Sequence, residues 1–83
     1  MLQELQSLNT NAKVTGLKQS QKAVTEDRAR HAFIANDAEK RVTSAFRALC
    51  AEHGVEITEV ETMHELGAAC GIEVGAAVAV LLK

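Results

Sequence analysis

The chain has no Pro, Trp or Tyr, and two Phe are its only aromatic residues. It therefore lacks the stacking platforms on which many single-strand binders hold successive bases. Cys50 and Cys70 are the only cysteines in 83 residues, too few for the disulfide framework of a small secreted domain. No secretory leader pattern is present, so a reduced, cytoplasmic setting is expected. The longest uncharged run after Glu73 is nine residues, against about 20 needed to span a bilayer, so no membrane partner is expected. A strong net charge is missing too. The formal charge is −2 and the pI about 5.9, which excludes a protein that is basic all over.

What is present fits one soluble domain over residues 1–83, with 47% apolar and 24% charged residues. A chain this short buries only about 60% of its unfolded surface, so its core must be small. The charges are unevenly spread. Residues 13–47 carry eight cationic and four anionic side chains, whereas residues 48–83 carry one and six. Such asymmetry can set a positive face on an acidic protein, although scattered solvated side chains would read the same way.

Helical and strand patterns alternate along the chain. Leu2, Leu5 and Leu8 mark a first amphipathic helix, and Lys13–Gly16 a short strand punctuated by Gly16. Leu17–Glu26 predicts a second helix, with Lys18, Gln19 and Lys22 on one exposed strip. The run Ala32-Phe33-Ile34-Ala35 predicts a strand over His31–Ala35 buried on both faces. Asn36 or Asp37 is expected to cap a third helix over Ala38–His53, whose core stripe is Val42, Phe46, Leu49 and Cys50. Gly54 sits where a left-handed cap is wanted, and Val55–Thr58 alternates as a strand with one wet face. Thr62-Met63-His64-Glu65 has capping-box spacing and opens a fourth helix to Cys70. Gly71 closes that helix, Ile72–Gly75 is a loop, and Ala76–Leu82 a second apolar strand. The order α-β-α-β-α-β-α-β predicts an α/β fold, a three-layer α/β/α sandwich around a four-stranded mixed sheet.

Most candidate chemistry falls away. His31, His53 and His64 do not stand at Zn-ligand spacing from one another or from either cysteine, so no metal or cofactor is expected. Both cysteines read as packing residues, and no Ser is paired by pattern with a His and an acid, so neither enzymatic activity nor a small-molecule substrate is indicated. Gly67, Gly71 and Gly75, spaced by four, read as a helix cap and a loop rather than a membrane-helix motif.

Two features carry more. Gly16-Leu17-Lys18-Gln19-Ser20-Gln21-Lys22 lies at a strand-to-helix junction, where free amides attract phosphate and Lys18 and Lys22 add full charges. The Gln19 amide offers a donor and an acceptor to a base edge. The bland alternative is a solvated helix face. The loop Ile72-Glu73-Val74 places two branched apolar residues at a turn, where they either contact a partner or fold inward.

Taken together, Gly16-x-Lys18-Gln19-x-x-Lys22, Ile34-Ala35-Asn36-Asp37 and Leu66-Gly67-x-Ala69-x-Gly71-Ile72-Glu73-Val74 resemble the kink-turn-binding ribosomal protein superfamily of the L7Ae/L30e type, above all its short bacterial branch. The resemblance runs from about residue 13 to residue 83, and Glu65–Val74 is its most specific part. It implies an α/β/α sandwich acting as a monomeric, non-enzymatic RNA-binding protein of ribonucleoprotein particles. The expected partner is kink-turn RNA, a bent internal loop with sheared G·A pairs, ribosomal RNA among the candidates.

By position, Gly16 would permit close backbone approach, and Lys18, Gln19 and Lys22 would contact guanine edges and phosphates. Asn36 or Asp37 would border the flipped nucleotide, and Ile72, Glu73 and Val74 would form the loop contact. Archaeal and eukaryotic members usually have Asn-Glu where this chain has Lys18-Gln19. The acidic total predicts few phosphate contacts and a shallow salt dependence. The rival reading is a protein-interaction module on the same fold, using the apolar loop and the acidic face.

Overall fold

A computed structural model describes residues 12–83 of the chain; the helix expected at Leu2–Leu8 lies outside them. The elements are β1 (Lys13–Thr15), α1 (Leu17–Thr25), β2 (Ala29–Ala35), α2 (Lys40–Glu52), β3 (Ile57–Val60), α3 (Met63–Ala69) and β4 (Val78–Leu82). The four strands form one mixed sheet in the order β1-β4-β2-β3. β4 is antiparallel to both neighbours, and β2 and β3 are parallel. Among the described residues no helix is long and apolar enough to cross a membrane.

The two apolar runs take the two central positions. Ala32–Ala35 and Val78–Leu81 are buried, as strands covered on both faces must be. One face packs Ala32, Ile34, Val78 and Val80 against Ala23, Val24, Phe46 and Cys50 of α1 and α2. The other packs Phe33, Ala79 and Leu81 against Leu66 and Cys70, at α3 and its C-terminal cap. The expected three-layer α/β/α arrangement is present.

All three described helices end the same way. After α1, α2 and α3 the residues at 27, 54 and 71 turn left-handed, with φ of 59°, 69° and 79°. In each case the next residue donates its N–H five residues back: Arg28 to Ala23, Val55 to Cys50, and Ile72 to Gly67. These are Schellman motifs, which satisfy carbonyls that a helix end leaves free. Gly54 and Gly71 take the conformation freely, whereas Asp27 adopts it with a side chain. The motif at Gly54 moves the third strand. Val55 closes α2, so β3 begins at Ile57 rather than Val55.

Four further expectations need correction. Neither Asn36 nor Asp37 caps α2, which starts at Lys40 after Glu39 and has no side-chain cap. Asp37 turns instead to the next helix, where its carboxylate accepts the Met63 N–H at 2.7 Å. The capping box is half formed: the Glu65 N–H donates to Thr62 Oγ1 at 3.0 Å, but the Thr62 hydroxyl meets the Glu65 carboxylate rather than leaving its own amide to it. The buried ridge of α2 is Thr43, Phe46 and Cys50, with Val42 and Leu49 half-buried beside it. Similarly, β4 starts at Val78 because Ala76 donates to the Met63 carbonyl instead of to a strand.

Two buried polar groups generate predictions. The Ser20 hydroxyl is fully buried and has no hydrogen-bond partner among the described residues. Ser20→Ala removes an unsatisfied group and raises helix propensity, so unfolding free energy should rise by about 0.5–1.5 kcal/mol in urea titration. Burial pushes the Cys50 thiol up to about 11 from 9.0, so it stays protonated where an unfolded thiol has ionised. The unfolded state therefore loses its proton first, and this contribution to stability should fall as pH rises from about 9 towards 11. Alkylation of the native protein at pH 9 should leave Cys50 unmodified until denaturant is added, as read by mass spectrometry.

Candidate nucleic-acid interface

The strand directions bring the sequence motifs to one end of the sheet. Because β4 runs against β1 and β2, its N-terminal end lies beside their C-terminal ends, at the pairs Thr15↔Ala79 and Ile34↔Val78. β3 ends at the same side, with Val60 opposite Ala35. Main-chain bonds tie the exits together. The Gly16 N–H donates to the Val78 carbonyl at 3.1 Å and the Ala35 N–H to the Ala77 carbonyl at 2.9 Å. The Asn36 N–H donates to the Val60 carbonyl at 2.7 Å. Gly16, Asn36 and the 72–77 connection thus surround the ends of adjacent strands, the position where open α/β sheets commonly bind ligands.

Gly16 caps α1 with φ 87° and ψ 154°, a conformation essentially confined to glycine. No side chain caps the helix, and its first turn holds no acidic residue. The amides of residues 17–19 precede the first intrahelical acceptor and point outward with the positive end of the helix dipole. Lys18, Gln19 and Lys22 are exposed. Among the described residues no carboxylate pairs with either lysine. At the opposite sheet end, Arg28 pairs with Glu26 and Lys83 with Asp27. Among the described residues, Lys18 and Lys22 thus stand without a carboxylate partner on the first turns of α1.

The apolar loop divides its two branched residues. Ile72, held by the Schellman bond to Gly67, is half-buried against the α3-side core. Val74 is 70% exposed and is the one large apolar residue so exposed among the described residues. Glu73 between them is exposed. Asn36 and Asp37 also differ. Asp37 is engaged at the start of α3, whereas the Asn36 side chain lines an open cleft with no hydrogen bond among the described residues.

Sequence reading misplaced one contributor. Gly67 lies within α3 and is neither a cap nor part of the loop. A Cβ there would collide with the Val74 carbonyl oxygen and meet the Gly75 Cα at 3.1 Å. Gly75 is likewise pressed against Met63, where an added Cβ would meet Cβ at 3.0 Å. The helix backbone and the loop backbone touch directly, at the residues on either side of the Val74–Gly75 peptide. The spacing of four between the glycines was the available signal.

The whole chain, residues 1–83, matches the ribosomal protein L7Ae/L30e/S12e/Gadd45 family. It belongs to that family. An L7Ae-family relative, RNA-binding protein TTE2299 of Caldanaerobacter subterraneus subsp. tengcongensis, is 45% identical over 67 residues, 81% of this chain and 82% of the relative. Large ribosomal subunit protein eL8 of Halobacterium salinarum is 35% identical over 75 residues, covering 89% of this chain and 62% of that protein. Among solved structures, a Giardia lamblia 15.5kD RNA binding protein superposes with a TM-score of 0.89 at 25% identity. That match covers 99% of this chain and 72% of the other.

Gly67→Ala should displace the Val74–Gly75 backbone and destabilise the protein by about 1–3 kcal/mol, the usual cost of overpacking. The check is a thermal melt together with amide NMR shifts. Changes should centre on residues 72–77 and α3 and leave α1 unmoved.

Proposed function

We propose that this L7Ae-family chain is an RNA-binding protein that recognises kink-turn RNA in the cytoplasm as a monomer, in or near the ribosome. The observation that supports the reading is that a cationic helix start with no side-chain cap and the 72–77 connection bearing the exposed Val74 adjoin the same end of the sheet. The names of the relatives support it: they are RNA-binding or ribosomal proteins, and the chain is non-enzymatic like them.

The chemistry follows from those groups. Free amides of α1 and the Lys18 and Lys22 ammonium groups meet phosphate oxygens. Lys18 is a donor only, so it reaches guanine O6 or N7, and the Gln19 amide supplies the acceptor that Lys18 lacks. Gly16 keeps side-chain bulk away from the approaching RNA. Val74 covers an unstacked base, with Ile72 holding the loop beneath it and Glu73 at its rim. Asn36 borders the flipped nucleotide, while Asp37 keeps α3 and hence the loop in place.

Unstacked bases at bends are the readable part of folded RNA, because the A-form major groove is too narrow for side chains. The protein stabilises the kinked state by as much as it prefers that state to the open one. The rival use of this surface, docking another protein through Val74 and the acidic residues around α3, leaves the cationic, carboxylate-free start of α1 without a role.

Titration of a labelled kink-turn RNA tests the reading. Binding should exceed that of a duplex of equal length, and Lys18→Ala/Lys22→Ala should weaken it by about 1–3 kcal/mol while flattening the salt dependence. Equal affinity for duplex and kink-turn, or full binding by the double variant, overturns it.

A further inference from the structure

A second polar surface adjoins Asn36. An open cleft of about 330 Å³, lined by Ala35, Asn36, Lys40, Thr43, Ser44 and Arg47, runs from the end of β2 along the first two turns of α2. Lys40, Ser44 and Arg47 stand at i, i+4 and i+7, one ridge of the helix about 10 Å long. Thr43 is its floor: its hydroxyl donates to the Lys40 carbonyl at 3.3 Å and is spent within the helix. The Ser44 hydroxyl and the Asn36 amide face the opening without a partner among the described residues.

The charges of the cleft suit an anion. Lys40 is exposed and pairs with no carboxylate among the described residues. Arg47 meets Glu59 through Nη1 at 3.5 Å, an exposed and long contact that leaves most of its five donors unused. Of the carboxylates beside the lining residues in sequence, Glu39 is paired with Arg41, which does not line the cleft, and Asp37 accepts the Met63 N–H. A protein segment would need apolar purchase here, and among the described residues Ala35 is the sole apolar one in the lining.

We propose that this groove holds the sugar–phosphate backbone of nucleotides flanking the bend, with Lys40 and Arg47 on phosphates and Ser44 between them. The proposal rests on the RNA-binding reading and extends its footprint from the strand ends onto α2. It also alters the expected salt dependence. With Lys18, Lys22, Lys40 and Arg47 all on phosphates the slope of log affinity against log salt is about −3, rather than about −1.5 for the α1 pair alone.

The test measures affinity between 50 and 200 mM salt, using kink-turn RNA with full flanking stems and the same RNA with each stem shortened in turn. Lys40→Gln/Arg47→Gln should flatten the slope by about 1.5 on the full RNA, so that its deficit shrinks about eightfold over that range. On one of the shortened RNAs the variant should match the wild type. Lys40→Arg/Arg47→Lys should keep the wild-type slope, which separates charge from helix stability. An unchanged slope in the neutralised variant, or an equal loss on every RNA, overturns the groove. The same holds if the variant keeps its RNA slope but loses a co-purifying protein, which would assign the cleft to that protein. If the wild type itself binds duplex as well as kink-turn RNA, the kink-turn reading fails instead, independently of the groove variants.

Discussion

Two consecutive carbonyls, that of Ala77 just before β4 and that of Val78 at its start, organise the candidate interface. The Ala77 carbonyl takes the amide of Ala35 from one neighbouring strand, and the Val78 carbonyl takes that of Gly16 from the other. These bonds depend on β4 running against both neighbours at the centre of the sheet. Were β4 parallel to them, its N-terminal end would sit at the far side of the sheet and carry the 72–77 connection with it. The helix start after β1, the turn after β2 and the apolar loop would then have no common surface. Strand direction thus shapes the candidate interface as much as any side chain at its rim.

Around that fixed end, neighbouring residues divide the work between structure and exposure. Asp37 is committed to the amide of Met63, which leaves Asn36 beside it facing outward. Ile72 is committed to the core, which leaves Val74 at the tip. The helices involved are short, nine, thirteen and seven residues, and such helices are marginal in isolation. Their stability comes from packing and from their ends. Three Schellman turns and the crossed cap from Asp37 therefore hold the geometry that the helices alone would not keep.

Much of this was legible in the chain. The two apolar runs identified the central strands, the period of three to four identified the helices, and Gly54 and Gly71 marked two helix ends. What was missed was decided by contacts between distant residues. Nothing near Asp37 says that its carboxylate serves Met63, 26 positions away. Nothing near Gly67 says that a loop backbone will lie against it. Asp27 turns left-handed without a glycine to announce it, because Arg28 can still reach the Ala23 carbonyl. The α2 stripe was read one residue out of phase at Thr43, since a Thr hydroxyl satisfied by its own helix packs inward as readily as a small apolar group. At the candidate site, the residue types and their order were readable; the division of roles between Asn36 and Asp37, and between Ile72 and Val74, required the folded main chain.

The outward placing of Val74 has an evolutionary consequence. With its mooring two positions upstream and its own side chain in solvent, codon 74 can drift through many residue types while the domain keeps folding. On the proposed base contact, ligand preference would therefore be retuned at a single tip position, without the compensating changes that a core exchange demands.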